Sequence, residues 1–82
     1  MTVQELNTLQ GKNIRRYRKK KGWTQAKLAN ETGISAVAIS DFENGKHLVG
    51  GKSWVLIAYV LGVEPWQLFC QDEAVMGRGG GK

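Results

Sequence analysis

Lys12, Arg15, Arg16, Arg18, Lys19, Lys20 and Lys21 fall within ten consecutive residues that hold no carboxylate. Cations packed this densely suit a polyanionic partner. The plainer role of such a run is a solvated helix face that keeps a protein soluble. Groups suited to bond-making chemistry do not assemble. His47, the only histidine, stands in a basic loop and fits a phosphate contact or plain surface better than a general base. Cys70, the only cysteine, has no sequence sign of a pairing base and reads as a small buried or idle thiol. One Cys and one His do not make a structural zinc site. Gly79 to Gly81 are not followed by the Lys-Ser helix start of a phosphate loop. Neither catalysis nor a metal, cofactor or small-molecule substrate is expected, and the chemistry left is binding.

Side chains recognise a surface only when something rigid presents them, and Thr24 to Gly45 is patterned to do that. Thr24 and Ser35 are placed as N-caps, each able to accept from the unpaired backbone N–H groups of a first helical turn. Trp23 with Leu28, and Ile34 with Ile39, repeat the apolar staple that fixes the angle of chain entry. Neither helix has Glu or Gln at the third position, so the full capping box is absent there. Gly33 and Gly45 fall where each helix should end in a left-handed residue. On the second of the two helices Ile34, Ala38, Ile39 and Phe42 share one face, which leaves Ala36, Val37, Ser40, Asp41 and Asn44 on the other. The pattern predicts a helix-turn-helix with one face inward and one free to meet a partner. The alternative is a plain helical hairpin of a small bundle.

The rest of the chain must hold that unit. With 82 residues and a formal charge of +5, it is read as one domain, which buries only roughly 60% of its unfolded surface. The lone cysteine rules out an intrachain disulfide and suits a reducing cytoplasm. Residues 1 to 10 carry Val3, Leu6 and Leu9 at three-residue spacing and read as a lead-in with a possible short helix, which Gly11 is positioned to interrupt. No secretory leader is expected from its composition. From Lys12 to Lys21, Ile14 and Tyr17 give a helix with a narrow buried stripe, ended by Gly22. Helix four, near Lys52 to Leu61, places Trp54, Ile57, Ala58 and Leu61 on one face. Its surroundings are the most apolar stretch but fall far short of the roughly 20 residues that span a bilayer. Pro65 suits the first turn of a fifth helix whose Trp66 and Phe69 reach back to the core. The Gly-rich end has nothing to bury. The expectation is an all-α fold of five helices with flexible termini: lead-in 1–10, helix-turn-helix domain 11–70 and tail 71–82.

Residues 11 to 69 resemble the lambdoid phage repressor and Cro type (XRE-like) helix-turn-helix domain. The resemblance is carried by Gly22-Trp23-Thr24-Gln25, Leu28-Ala29, Gly33-Ile34-Ser35, Ile39-Ser40, Phe42-Glu43-Asn44-Gly45-Lys46, Ile57-Ala58 and Leu61-Gly62-Val63. It implies five helices with the third in the major groove of double-stranded DNA. It further implies that Gln25, at the exposed start of helix two, grips a phosphate and sometimes braces a base-reading side chain, with Asn44 and Lys46 as phosphate contacts after helix three. Thr24 is expected to join them on the backbone. Arg18 and Glu43 match a pair that joins helices one and three in a partly buried salt bridge, although Arg18 is also placed for a DNA contact. The exposed start and face of helix three, Ser35, Ala36, Val37, Ser40 and Asp41, complete the expected DNA-binding set.

The chain departs from the family pattern in two places. Base-reading positions that often carry Gln, Ser, Arg or Lys are Ala36, Val37 and Asp41, none of which makes bidentate donor contacts to guanine or adenine. Ala36 and Val37 can pack on thymine methyls and Ser40 can donate or accept. Asp41 can accept from cytosine N4, repel phosphate or pair with a cation, and the sequence leaves these open. The other departure is Val49-Gly50-Gly51, where the family commonly has a Pro and a Ser cap. The resulting expectation is a cytoplasmic, nucleoid-associated transcriptional regulator without enzymatic activity. Its expected working unit, by symmetry of half-sites, is a homodimer with Trp66 and Leu68 at the interface. The rival expectation is a protein-interaction module or antitoxin built on the same fold.

Overall fold

A computed structural model describes residues 1–70; the Gly-rich tail expected at 71–82 lies outside the described residues. The described chain is all-helical, with four α-helices, α1 (Val3–Lys20), α2 (Gln25–Thr32), α3 (Ala36–Glu43) and α4 (Gly51–Leu61), and a closing 3-10 turn at Pro65–Phe69. The α-helix count is therefore four and not the expected five. Five residues between Glu64 and Cys70 leave room only for tight i to i+3 bonding, in which Gln67 N donates to Glu64 O at 2.9 Å and Cys70 N to Gln67 O at 3.2 Å.

α1 is one helix of 18 residues. The sequence Thr-x-x-Glu at its start supplies a capping box: Thr2 Oγ1 accepts from Glu5 N at 3.0 Å and Glu5 Oε1 from Thr2 N at 2.7 Å. Gly11 does not interrupt it. A Cβ at Gly11 would lie 2.3 Å from the Phe42 carbonyl oxygen and 2.8 Å from that of Glu43. Its missing side chain therefore lets α1 lie against the end of α3, and the helix continues because an interior glycine is tolerated at about 1 kcal/mol.

The five elements converge on one aliphatic side chain from each: Ile14, Leu28, Ile39, Ile57 and Leu68, all fully buried. Each such burial is worth roughly 1.5–3 kcal/mol. Tyr17, Val49, Ala58 and Leu61 join this core, and Trp23, Ala29, Ile34, Phe42, Trp54, Val60 and Val63 pack around it. Trp54 meets Phe69 edge-on at 5.4 Å and donates Nε1–H to Pro65 O at 2.8 Å, which ties the 3-10 turn to α4. Trp66 does not reach the core; it is 61% exposed, while Leu68 is fully buried. Leu68 is thus removed from the expected interface.

Amide side chains on the buried side of α1 fix the irregular segments, a feature the apolar pattern did not reveal. Gln10 pairs with Val49 as a second strand would, donating Nε2–H to Val49 O at 2.8 Å and accepting Val49 N–H at 2.7 Å. Asn13 donates to Leu68 O at 2.7 Å and Cys70 O at 3.0 Å. The Gln10 pair holds Val49 in place without the missing Pro, and α4 begins at Gly51 after Gly50, an N-cap with no side-chain bond. No described helix is long and apolar enough to cross a membrane.

Candidate functional site

The exposed surface of interest is built by α2, the turn after it and α3. Thr24 Oγ1 accepts from Lys27 N at 3.0 Å and Ser35 Oγ from Ala38 N at 3.1 Å, so each hydroxyl satisfies an orphan donor of its first turn. Gly33 ends α2 at φ 75°, a left-handed conformation open to glycine without strain. Thr32, which sequence reasoning passed over, locks the turn: its hydroxyl donates to Leu28 O at 2.9 Å and accepts from Ile34 N at 3.2 Å. A Thr just before the glycine was the available sign.

α3 is thereby divided. Ile39 and Glu43 are buried, with Ala38 and Phe42 half-buried beside them. On the opposite side Ala36, Val37 and Asn44 are exposed and Ser40 and Asp41 half-exposed; Val37 is 72% exposed. Thr24, Ser35 and Lys46 are exposed as well, and Gln25 is half-buried. Two contacts run along this side. Asn44 Nδ2 lies 3.5 Å from Ser40 Oγ, and Lys46 Nζ lies 3.7 Å from Asp41 Oδ1. Of the alternatives left open for Asp41, pairing with a cation is the one present in the free protein.

Beneath this surface Arg18 and Glu43 make a two-point pair, Nε to Oε2 at 2.6 Å and Nη2 to Oε1 at 2.9 Å, with side chains 8% and 1% exposed. Arg18 Nη1 also donates to Trp23 O at 2.7 Å, and Gln25 Nε2 donates to Glu43 Oε1 at 3.0 Å. One carboxylate therefore joins α1, the start of α2 and α3. The hydrogen bonds to Glu43 raise the Arg18 pKa above its ordinary value against the opposing effect of burial. Gln25 commits one of its two amide N–H donors to this network, a contact that the sequence did not foretell.

The basic run splits by location. Arg18 is buried in the pair, while Lys12, Arg15, Arg16 and Lys19 line an open depression of about 360 Å³ on α1. Lys21 and Lys27 sit 4.9 Å and 5.7 Å from the Trp23 ring centre. His47 is exposed. Among the described residues no group of three His, Cys, Asp or Glu is placed to hold a metal ion.

A family model described as helix-turn-helix matches residues 14–65. The chain belongs to that helix-turn-helix family. Two solved structures are similar along most of its length. One is a hypothetical transcription factor, NHTF, from Neisseria, with 26% identity and a TM-score of 0.81 over 94% of this chain and 88% of that one. The other is the restriction-modification controller protein C.AhdI from Aeromonas hydrophila, with 28% identity and a TM-score of 0.73 over 77% of this chain and 96% of that one. No curated protein matches the sequence. The helix-turn-helix domain is of the Cro and repressor type, a class of DNA-binding transcription regulators, and α2 and α3 are the paired helices of its motif.

Proposed function

We propose that this helix-turn-helix protein is a transcriptional regulator that reads double-stranded DNA sequence with α3 in the major groove. The observation that carries this reading is the division of α3: it is anchored inward by Ile39 and Glu43 and offers Val37, 72% exposed, with Ala36, Ser40 and Asp41 on the side away from the core. A helix held by one face and bare on the other has the shape the groove admits. Thr24, Ser35, Asn44 and Lys46 surround that face and position it on phosphates. Gln25 contributes its backbone N–H at the positive end of α2 and the second N–H of its side-chain amide, the first being held by Glu43. Ala36 and Val37 favour thymine methyls, and Asp41 favours cytosine N4. DNA shape supplies the remaining discrimination.

One domain makes few base contacts, so the working form is a homodimer on two half-sites about one helical turn apart. Val55, Tyr59 and Trp66, which are 51%, 79% and 61% exposed on α4 and the closing turn, are the apolar side chains available for it. The protein acts in the cytoplasm, on the nucleoid, and is not an enzyme. Selection of duplexes from a random pool tests the reading, with enrichment of an inverted repeat as the expected result. Log affinity should then fall with log salt by about 0.9 per phosphate contact. Failure to retain any duplex at low salt overturns the proposal, and a salt-insensitive protein ligand on the Val37 face would replace it with the interaction-module reading.

A further inference from the structure

We infer that Asp41 and Lys46 form a latch that discriminates against the wrong duplex: the pair withholds Lys46 from phosphate until a cytosine amino group takes over the Asp41 carboxylate. The inference rests on α3 entering the major groove and names what that helix rejects. Asp41 is the one acidic side chain on the outward side of α3, since Glu43 is turned inward with 1% of its side chain exposed. Its outward neighbours Ala36, Val37, Ser40 and Asn44 are uncharged. In the free protein its partner is Lys46, at 3.7 Å, with side chains 30% and 64% exposed. The Lys46 backbone N–H donates to Asp41 O at 3.0 Å, so the two residues stay within one turn whatever their side chains do. A long, exposed ion pair is weak, and it is readily exchanged.

In a groove lined by phosphates, a carboxylate needs a base donor, and the major-groove edge of cytosine presents one at N4. Where that amino group is present, Asp41 accepts from it and the Lys46 ammonium is released to a phosphate. Where it is absent, Asp41 retains Lys46, and the complex makes one phosphate contact fewer. The matched complex should therefore show a log affinity against log salt slope steeper by about 0.9 than the mismatched one. A simple phosphate-binding lysine would give the same slope on both.

The test uses the full chain, a duplex recovered from the random pool, and the same duplex with each C·G pair changed in turn to T·A. At one position wild-type affinity should fall about tenfold, and the salt slope should lose about 0.9. In D41N, whose melting temperature controls for folding, the mismatched duplex should recover the steeper slope and the specificity ratio should fall. Preference at that position should move toward adenine, whose N6 and N7 match an amide. In K46A both slopes should settle at the lower value. Equal wild-type slopes on all duplexes that do bind, or a gap that persists in D41N, overturn the latch alone. If wild type binds no duplex, the groove-binding reading fails and takes the latch with it.

Discussion

Asp41 and Glu43 lie two residues apart on α3, and each carboxylate faces a cation, yet the two pairs belong to different parts of the protein's behaviour. Glu43 receives Arg18 at 2.6 Å and 2.9 Å with its side chain 1% exposed, while Asp41 stands 3.7 Å from Lys46 with its side chain 30% exposed. At 3.6 residues per turn, a two-residue step turns a side chain by about 200°. One helix can therefore fix itself to the protein with one carboxylate and offer the other to a partner. Chemical type does not separate the anchored carboxylate from the outward one; position around the helix axis does.

Breaking the inner pair should have the largest effect. Arg18→Ala leaves Glu43 buried with only Gln25 as donor, and Glu43→Ala leaves the Arg18 guanidinium nearly as isolated. Loss of one partner of a buried pair costs roughly 3–5 kcal/mol, a large share of the 5–15 kcal/mol typical of a whole domain. Thermal denaturation of Glu43→Ala should show a fall of roughly 12 °C or more. A variant melting within about 4 °C of wild type would make the inner pair no different in kind from the outer one.

Gly11→Ala tests the same anchorage through backbone contact. Helix propensity alone favours alanine by about 1 kcal/mol. The added Cβ, however, would meet the Phe42 and Glu43 carbonyl oxygens at 2.3 Å and 2.8 Å, neither of which can rotate away as a side chain would. The expected result is a net loss of about 1–3 kcal/mol, read as a lower urea midpoint at unchanged slope. A gain in stability would show that α1 and α3 can separate without penalty. Ser35→Ala should be milder, about 1 kcal/mol, because it removes one cap bond at the start of α3, Ala38 N to Ser35 Oγ at 3.1 Å.

Residues 24 to 45 were legible in the sequence because their instructions are local. Thr24 and Ser35 cap the helices they precede, and Gly33 ends α2; each acts within four residues of itself. Ile39 and Leu28 followed from periodicity for the same reason. What the sequence hid is made of contacts between distant residues. Gln10 and Asn13 carry no apolar signal, and their partners at Val49 and Leu68 are 39 and 55 residues away. Gly11 looked like a helix breaker because the carbonyls that need its space belong to α3. At the site itself, residues expected on the outward side of α3 do lie there, but the hydrogen bond from Gln25 to Glu43 and the pairing of Asp41 with Lys46 depend on side-chain choices that spacing leaves undecided. The Thr2 capping box is also local, carried by Thr2 and Glu5 three residues apart.

Undoing the outer pair should change stability least. Asp41→Ala and Lys46→Ala each remove an interaction between half-exposed and exposed groups, worth about 0–1 kcal/mol. The turn they flank keeps its main-chain bond, Lys46 N to Asp41 O at 3.0 Å, in either variant. Both should melt within roughly 4 °C of wild type. Salt separates this outer pair from the inner one further. At about 1 M salt the screening length falls to about 3 Å, so the small difference between Asp41→Ala and wild type should vanish, whereas the deficit of Glu43→Ala should persist because its pair is shielded from solvent. Equal salt sensitivity in the two variants would mean that burial does not distinguish the pairs, and the outward side of α3 would then belong to the scaffold as firmly as the inward one.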